Sequence, residues 1–403
     1  MDLRQLRGLE IARQNQVQKT KDGWYVKSQS GTGSWHVTED FNCNCPDCLK
    51  NKMTCKHQFA VRYYLKTEVV TPHGVVTTEK RVSYSQDWAA YRLAQTKEVK
   101  LFDELLSDLV AEIDEPAQEM GRPRISLKQG LFCSIQKVYS QLSSRRAYSL
   151  YKNAEQREQI EKAPSYNAIN VFLNREDITP ILRELVTVSA SPLSPIETKF
   201  AVDSTGFRTT GFTQYADEKY GLGREHSWLK CHAICGVKTN VITRVVVTDK
   251  DGADSPQLPF LVEKTADGGF EINELSADKA YGSAENYNAV QDVGGALYVP
   301  FKSSATGTTH GSKYRLFRKM FFFYQLHSDE FFQKYHLRSN VESTFSAVKR
   351  KFGDGLKSKK FTAQENELLC KIIAYNLTVL IQSTFELGVE IDFAQKGGVL
   401  LKK

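Results

Sequence analysis

The sequence predicts an α/β (α+β) protein: a mixed sheet flanked by helices, preceded by a helical domain and a small metal-binding module. Three observations predict it. From Thr198 onward, short apolar runs alternate with helical patterns, as expected of strands covered by helices. From about Gln86 to Ser189 the apolar spacing is helical, as in Leu101, Phe102, Leu105, Leu106 and Leu109. Four of the eight cysteines crowd between Cys43 and Cys55, a distribution that suits a metal in a reducing cytoplasm better than disulfides.

Taken in order, Trp24-Tyr25-Val26 and Trp35-His36-Val37 read as short strands around a turn at Gly31-Thr32-Gly33. The cysteine cluster follows, then a helix from Gln58 to Lys66. Residues 67–85, with Pro72 and Gly74, read as a linker. A helical pair, from Pro164 to Phe172 and from Ile178 to Val188, suits a helix-turn-helix. Lys199 to Asp203 is a short buried strand ending in an acid. Leu229 to Val237 and Val241 to Thr248 are the next strands, and Trp228 reads as a core tryptophan opening the first of them. Asp254-Ser255-Pro256 starts a helix. Glu271 to Asp278 is a fourth strand, again ending in an acid. A helix from Ser283 to Val293 stops at Gly294-Gly295, Ala296 to Phe301 is a fifth strand, and a continuous helix covers Tyr335 to Phe352.

A chain of 403 residues supports two or three well-buried domains. The net charge of +7 is concentrated. Residues 334–360 hold eight Lys/Arg against two acids, and residues 1–83 hold thirteen against eight. Basic charge gathered in this way suits a polyanionic partner. Met1 to Gln18 is polar, so no leader is expected, and Leu368 to Ile381 is broken by Lys371 and Asn376 and too short to span a bilayer.

Cys43-x-Cys45, nine residues, then Cys55-x-His57 supply three thiolates and one imidazole, a full tetrahedral shell for structural zinc, with Cys48 as a spare. With a strand pair before and a helix after, residues 20–66 resemble a SWIM zinc finger. Such modules bind DNA or protein.

Asp203 and Asp278 each close an apolar run, in Phe-Ala-Val-Asp203-Ser-Thr-Gly and Leu-Ser-Ala-Asp278-Lys-Ala-Tyr. Glu342 lies in Tyr335-x-x-Arg338-x-x-x-Glu342-x-x-x-x-x-x-Lys349, whose offsets fall on one face of a continuous helix. Phosphodiesters are cleaved by two divalent ions about 4 Å apart, and hard ions such as Mg²⁺ select carboxylate oxygens. Three acids from separate elements meet that need.

Residues 190–382 resemble the RNase H-like catalytic domain of DDE transposases, in the insertion-sequence group with the Y-(2)-R-(3)-E-(6)-K signature. Tyr335, Arg338, Glu342 and Lys349 match it position by position, although the 63 residues between Asp278 and Glu342 leave no room for the large β-insertion of some relatives. The resemblance implies that Asp203, Asp278 and Glu342 are catalytic and hold two Mg²⁺ or Mn²⁺ ions. Tyr335, Arg338 and Lys349 would hold phosphates beside the scissile bond. It implies a DNA transposase acting on double-stranded element ends and target, as a homodimer because two ends are joined, cytoplasmic and nucleoid-associated in a prokaryotic host. Two alternatives are a domesticated, zinc-dependent DNA-binding regulator and a metal-dependent nuclease without strand transfer. The expected organisation is a finger at 1–66, the linker at 67–85, a helical DNA-binding domain at 86–189, the catalytic domain at 190–384 and a tail at 385–403.

Overall fold

The computed structural model describes residues 3–14, 16–29, 33–51, 53–71, 74–79, 87–117, 120, 124–209, 219, 227–303, 305–308 and 310–393. They form two compact units, Met1–Trp88 and Ala89–Lys403.

In the first unit, β1 (Val17–Thr20), β2 (Gly23–Lys27) and β3 (Ser34–Thr38) make an antiparallel sheet. Alternation sets its faces: β2 buries Trp24 and Val26 and turns Tyr25 and Lys27 outward. Gly23 takes a φ of 147°, and a Cβ there would lie 2.1 Å from the Val37 carbonyl oxygen, so only glycine fits. Helix α1 (Leu3–Arg13) precedes the sheet, α2 (Pro46–Asn51) starts on its proline, and α3 (Lys56–Leu65) packs on α1. Ile11, Val17, Trp24, Val26, Val37 and Val61 form a core around the buried cysteines.

The expected linker departs from this reading. Its described part is a hairpin, β4 (Lys66–Thr71) with β5 (Gly74–Glu79), in the register Val70↔Val75. β-branched residues at 67, 69, 70 and 75–78 favour extended backbone on both sides of the turn. Residues 31, 32, 72, 73 and 80–86 lie outside the described set, and with them the Gly31-Thr32 turn and the rest of that segment.

The second unit opens with α4 (Trp88–Ala111), α5 (Leu127–Ser140), α6 (Ser144–Gln156), α7 (Tyr166–Phe172) and α8 (Ile178–Ala190). Serines cap two of them: Ser126 Oγ accepts from the Gln129 amide and Ser165 Oγ from that of Ala168. The five-stranded sheet follows, with β6 (Lys199–Arg208), β7 (Trp228–Gly236), β8 (Ile242–Thr248), β9 (Glu274–Ala277) and β10 (Ala296–Tyr298) in the order β10-β9-β6-β7-β8. β6, β7 and β8 form an antiparallel meander, while β9 and β10 run parallel to β6. Helices α9 (Leu258–Asp267) and α10 (Ala284–Asp292) make the two crossovers. Beyond them come α11 (Arg315–Leu326), α12 (Ser328–Tyr335), α13 (Ser339–Phe352) and α14 (Phe361–Leu387). This order and mixture of directions is the RNase H-like sheet that the resemblance implied.

Four expectations are corrected here. First, β6 does not end at Asp203. It pairs with β7 as far as Arg208↔Trp228, which puts the acid in mid-strand. Second, α8 is built into the core of the second unit: Ile178, Leu182, Leu185, Val186 and Val188 are buried against β8 and α14. Third, the helices before the sheet are not a separate body, because one hydrophobic core runs through them and the sheet. Fourth, Trp228 opens its strand but is 40% exposed, lying over Gly206.

Helix α14 is long and apolar enough to cross a membrane by length and composition, yet 83% of that window is buried inside the unit. Its inward polar residues fasten the fold. Asn376 Oδ1 accepts from the Ile242 amide at 3.0 Å, and its Nδ2 donates to the Ile242 carbonyl at 2.7 Å and to Ser189 Oγ at 3.0 Å. One side chain thus ties β8, α8 and α14 together. Val389, Ile391 and Phe393 of the expected tail also pack on this core, and residues 394–403 lie outside the described set.

Candidate functional site

Helix α13 lies along β6 and is fastened at both ends. At its start Arg338 spans two acids: Nη1 donates to Asp203 Oδ2 at 2.8 Å and Nη2 to Glu342 Oε1 at 2.5 Å. Beyond its end Arg208 makes a fork with Asp354, at 2.9 and 2.7 Å, and the backbones of Arg208, Asp354 and Leu356 exchange two more bonds. The loop between α13 and α14 is held from below. Lys371 donates to the carbonyls of Gly353 and Gly355, and Glu367 accepts from the amides of Lys357 and Ser358.

Asp203, Thr205 and Phe207 share one face of β6, two residues apart. Facing them, Arg338 meets Asp203, and Lys349 donates to Thr205 Oγ1 at 2.7 Å with its ammonium 5.3 Å from the Phe207 ring centroid. Asp278 follows β9, the strand beside β6, and its carboxylate accepts from the Lys279 amide at 2.7 Å. Burial pushes the Asp203 carboxyl above the usual range, and the charges of Asp278 and Glu342 push the same way. The three predicted acids therefore face one locality. They are not drawn into a single chelate. Among the described residues, only the Cys/His set described below brings three or more such ligand atoms within 4.8 Å of one another. A guanidinium supplies the positive charge between Asp203 and Glu342, so Arg338, expected to hold a phosphate, is committed to carboxylates. The donor set, three acids from three elements, suits a hard divalent ion.

The continuous helix from Tyr335 to Phe352 is interrupted. α12 stops at Tyr335 and a 3₁₀ turn covers His336–Arg338 before α13 begins. Ser339 Oγ and Asn340 Nδ2 donate to the carbonyls of His336 and Leu337, competing with the regular backbone ladder. Tyr335 is therefore on a different helix from Glu342, half-buried against Phe332 and His336.

Several neighbours escaped the sequence reading. The buried Tyr281 hydroxyl has no hydrogen-bond partner among the described residues. Burial raises its pKa, and so do the charges of Asp254, Asp203 and Asp278. Asp254 reads as a helix start, but its side chain makes no cap bond. Instead it lies 2.9 Å from Lys230 Nζ and 3.1 Å from Nδ1 of the fully buried His232. Burial holds His232 below its usual pKa, against the pull of Asp254. Only strand register, which opposes Ser204 to His232, brings these groups beside Asp203.

In the first unit Cys43, Cys45, Cys55 and His57 are all buried, with their ligand atoms within 4.8 Å of one another. His57 Nδ1 is 3.8 Å from the sulfurs of both Cys43 and Cys55. A tetrahedral zinc with bonds of about 2.3 Å to sulfur and about 2.0 Å to nitrogen has edges of roughly 3.6 Å, so the shell fits such an ion. The Cys43 thiol's hydrogen bond lowers the Cys55 pKa and raises that of Cys43, and burial raises that of Cys45. Cys48 is not in the shell: its sulfur turns to Gln58 Oε1 at 3.7 Å. Trp35 covers the imidazole at 6.0 Å.

The mixed five-stranded sheet, with three acids on neighbouring elements, defines an RNase H-like fold class. The comparison with families is more specific: residues 194–377 match the transposase DDE domain. The matched segment lies within the second unit, which is similar there to a transposase DDE domain. No curated protein matches the chain. Among solved structures, a cryo-EM structure of a piggyBac transposase synaptic complex with hairpin DNA aligns with a TM-score of 0.36 at 10% identity, covering 74% of this chain and 79% of that one.

Proposed function

We propose that the chain is a DNA transposase that binds double-stranded ends of its own mobile element, cuts them and joins them to target DNA. In this reading Asp203, Asp278 and Glu342 would hold two Mg²⁺ or Mn²⁺ ions, whose chemistry when bound would be activation of the attacking oxygen and stabilisation of the leaving one. Tyr335, Arg338 and Lys349 bind the flanking phosphates, Arg338 changing partners from carboxylate to phosphate. Cys43, Cys45, Cys55 and His57 hold one structural Zn²⁺ in a SWIM-type finger. The protein works as a homodimer, because two ends must be joined, in the cytoplasm on nucleoid DNA.

The observation that carries this is the Arg338 bridge between Asp203 in mid-strand and Glu342 on α13, within a DDE domain. It supports an electrostatic centre built around positive charge. The test uses the full chain, Mn²⁺ and duplexes carrying the DNA that flanks its coding region. Wild type should give cleaved and joined products and Asp203→Asn neither. Cleavage without joining would point to a nuclease, and cleavage by Asp203→Asn would remove the acid from the mechanism.

A further inference from the structure

Between Asp292 and Asp329 the chain holds 36 residues without a single acid, and five of them are Lys or Arg. This stretch links the second acid's side of the sheet to the helix of the third, and α11 is its main element. The inner face of α11 is occupied: Phe317 meets Phe301 edge-on at 5.1 Å and Tyr287 at 5.8 Å. The outer face carries Arg315, Lys319, Phe322 and Leu326, at offsets of four, seven and eleven, all exposed. Phe322 is 51% exposed. Lys302, Arg315 and Lys319 have no ion-pair partner among the described residues. A cavity of about 160 Å³ is lined by Lys302 and Phe317 of this stretch and by Lys279, the residue that follows Asp278.

We infer that this connector is a second DNA contact, which carries a duplex backbone outward from the candidate centre across Lys302, Arg315 and Lys319. Unpaired cations in an acid-free stretch form a positive surface whose complement is a polyanion, and its position beside Asp278 makes that polyanion the DNA being processed. Phe322 in the same stripe offers a ring to sugars or unpaired bases. The inference rests on the transposase reading for its choice of nucleic acid and adds a surface to it.

Each phosphate contact contributes about 0.9 to the slope of log affinity against log salt. Replacing Lys302, Arg315 and Lys319 together with alanine should lower that slope by about 2.7. Between about 50 and about 200 mM salt the wild-type affinity should then fall about 40-fold more than that of the triple variant. The measurement is fluorescence anisotropy of the full chain with a labelled duplex, alongside a thermal melt to verify folding. The charge-retaining variant, Lys302→Arg with Arg315→Lys and Lys319→Arg, should keep the wild-type slope. An unchanged slope in the alanine variant overturns the inference. So does a loss of self-association in Phe322→Ala with Leu326→Ala at unaltered DNA affinity, which would make the stripe a contact between copies. Failure of the catalytic reading shows elsewhere, as cleavage surviving Asp203→Asn, which touches none of these cations.

Discussion

Arg338→Ala separates two roles of one side chain, as partner of carboxylates and as competitor of a metal. The guanidinium donates to Asp203 at 2.8 Å and to Glu342 at 2.5 Å. A hydrogen bond to a charged group contributes about 1.5 to 3 kcal/mol. That figure suits the Asp203 contact, where both side chains are about one-fifth exposed. The Glu342 side chain is 55% exposed, so its share falls to well under about 1 kcal/mol. After the freed guanidinium regains water, about 1.4 kcal/mol remains as the cost a divalent ion meets in displacing it, a factor of about ten. Arg338→Ala should therefore bind Mn²⁺ about tenfold more tightly, measured by calorimetry on the full chain, even as DNA cleavage falls. The pH dependence fixes the sign. Burial raises the Asp203 pKa, so the folded state holds its proton more tightly than the unfolded chain does. The stability this gives is present below the unfolded value and lost as pH rises through the folded one. An ion must displace that proton, so Mn²⁺ affinity climbs with pH until Asp203 is ionised. Removing Arg338 moves the climb to higher pH. Weaker or unchanged Mn²⁺ binding in Arg338→Ala would refute the competition and make the bridge purely structural.

Other substitutions probe the rest of the structure. Cys55→Ser should remove bound zinc and unfold the first unit, whereas Cys48→Ser should leave metal content unchanged because its sulfur faces Gln58; elemental analysis of both proteins decides. Asn376→Leu should strand the Ile242 amide and carbonyl in the core and cost about 3 kcal/mol. Differential scanning calorimetry should then show the larger unit melting several degrees lower, and an unshifted transition would deny Asn376 that role.

Much of this was legible in the sequence because it rests on local patterns. The strands of the sheet are mostly apolar runs, with Asp203 inside one of them and Asp278 directly after another. The Cys/His cluster stands out by spacing, although spacing left Cys48 as a spare and only the geometry sets it apart from Cys43, Cys45, Cys55 and His57. What was not legible depends on contacts through space. No periodicity predicts that Ser339 and Asn340 will capture carbonyls and split a helix, or that Asp254 will forgo capping to approach His232. Arg338 matched its motif in position, but its partners could be known only once β6 and α13 were brought side by side. The hairpin at 66–79 is hard to read because Pro72 and Gly74 give the segment the look of a linker despite the β-branched residues around them.

The burial of α8 bears on how the molecule can be divided. A protein trimmed to begin at residue 194, where the family match starts, would lose Ile178, Leu182, Leu185, Val186 and Val188 from the interior. At about 2 kcal/mol each this is on the order of 10 kcal/mol, as much as the whole stability of an ordinary domain. Such a fragment should precipitate with β8 and α14 laid bare, whereas a cut after Trp88 follows the division between the two compact units.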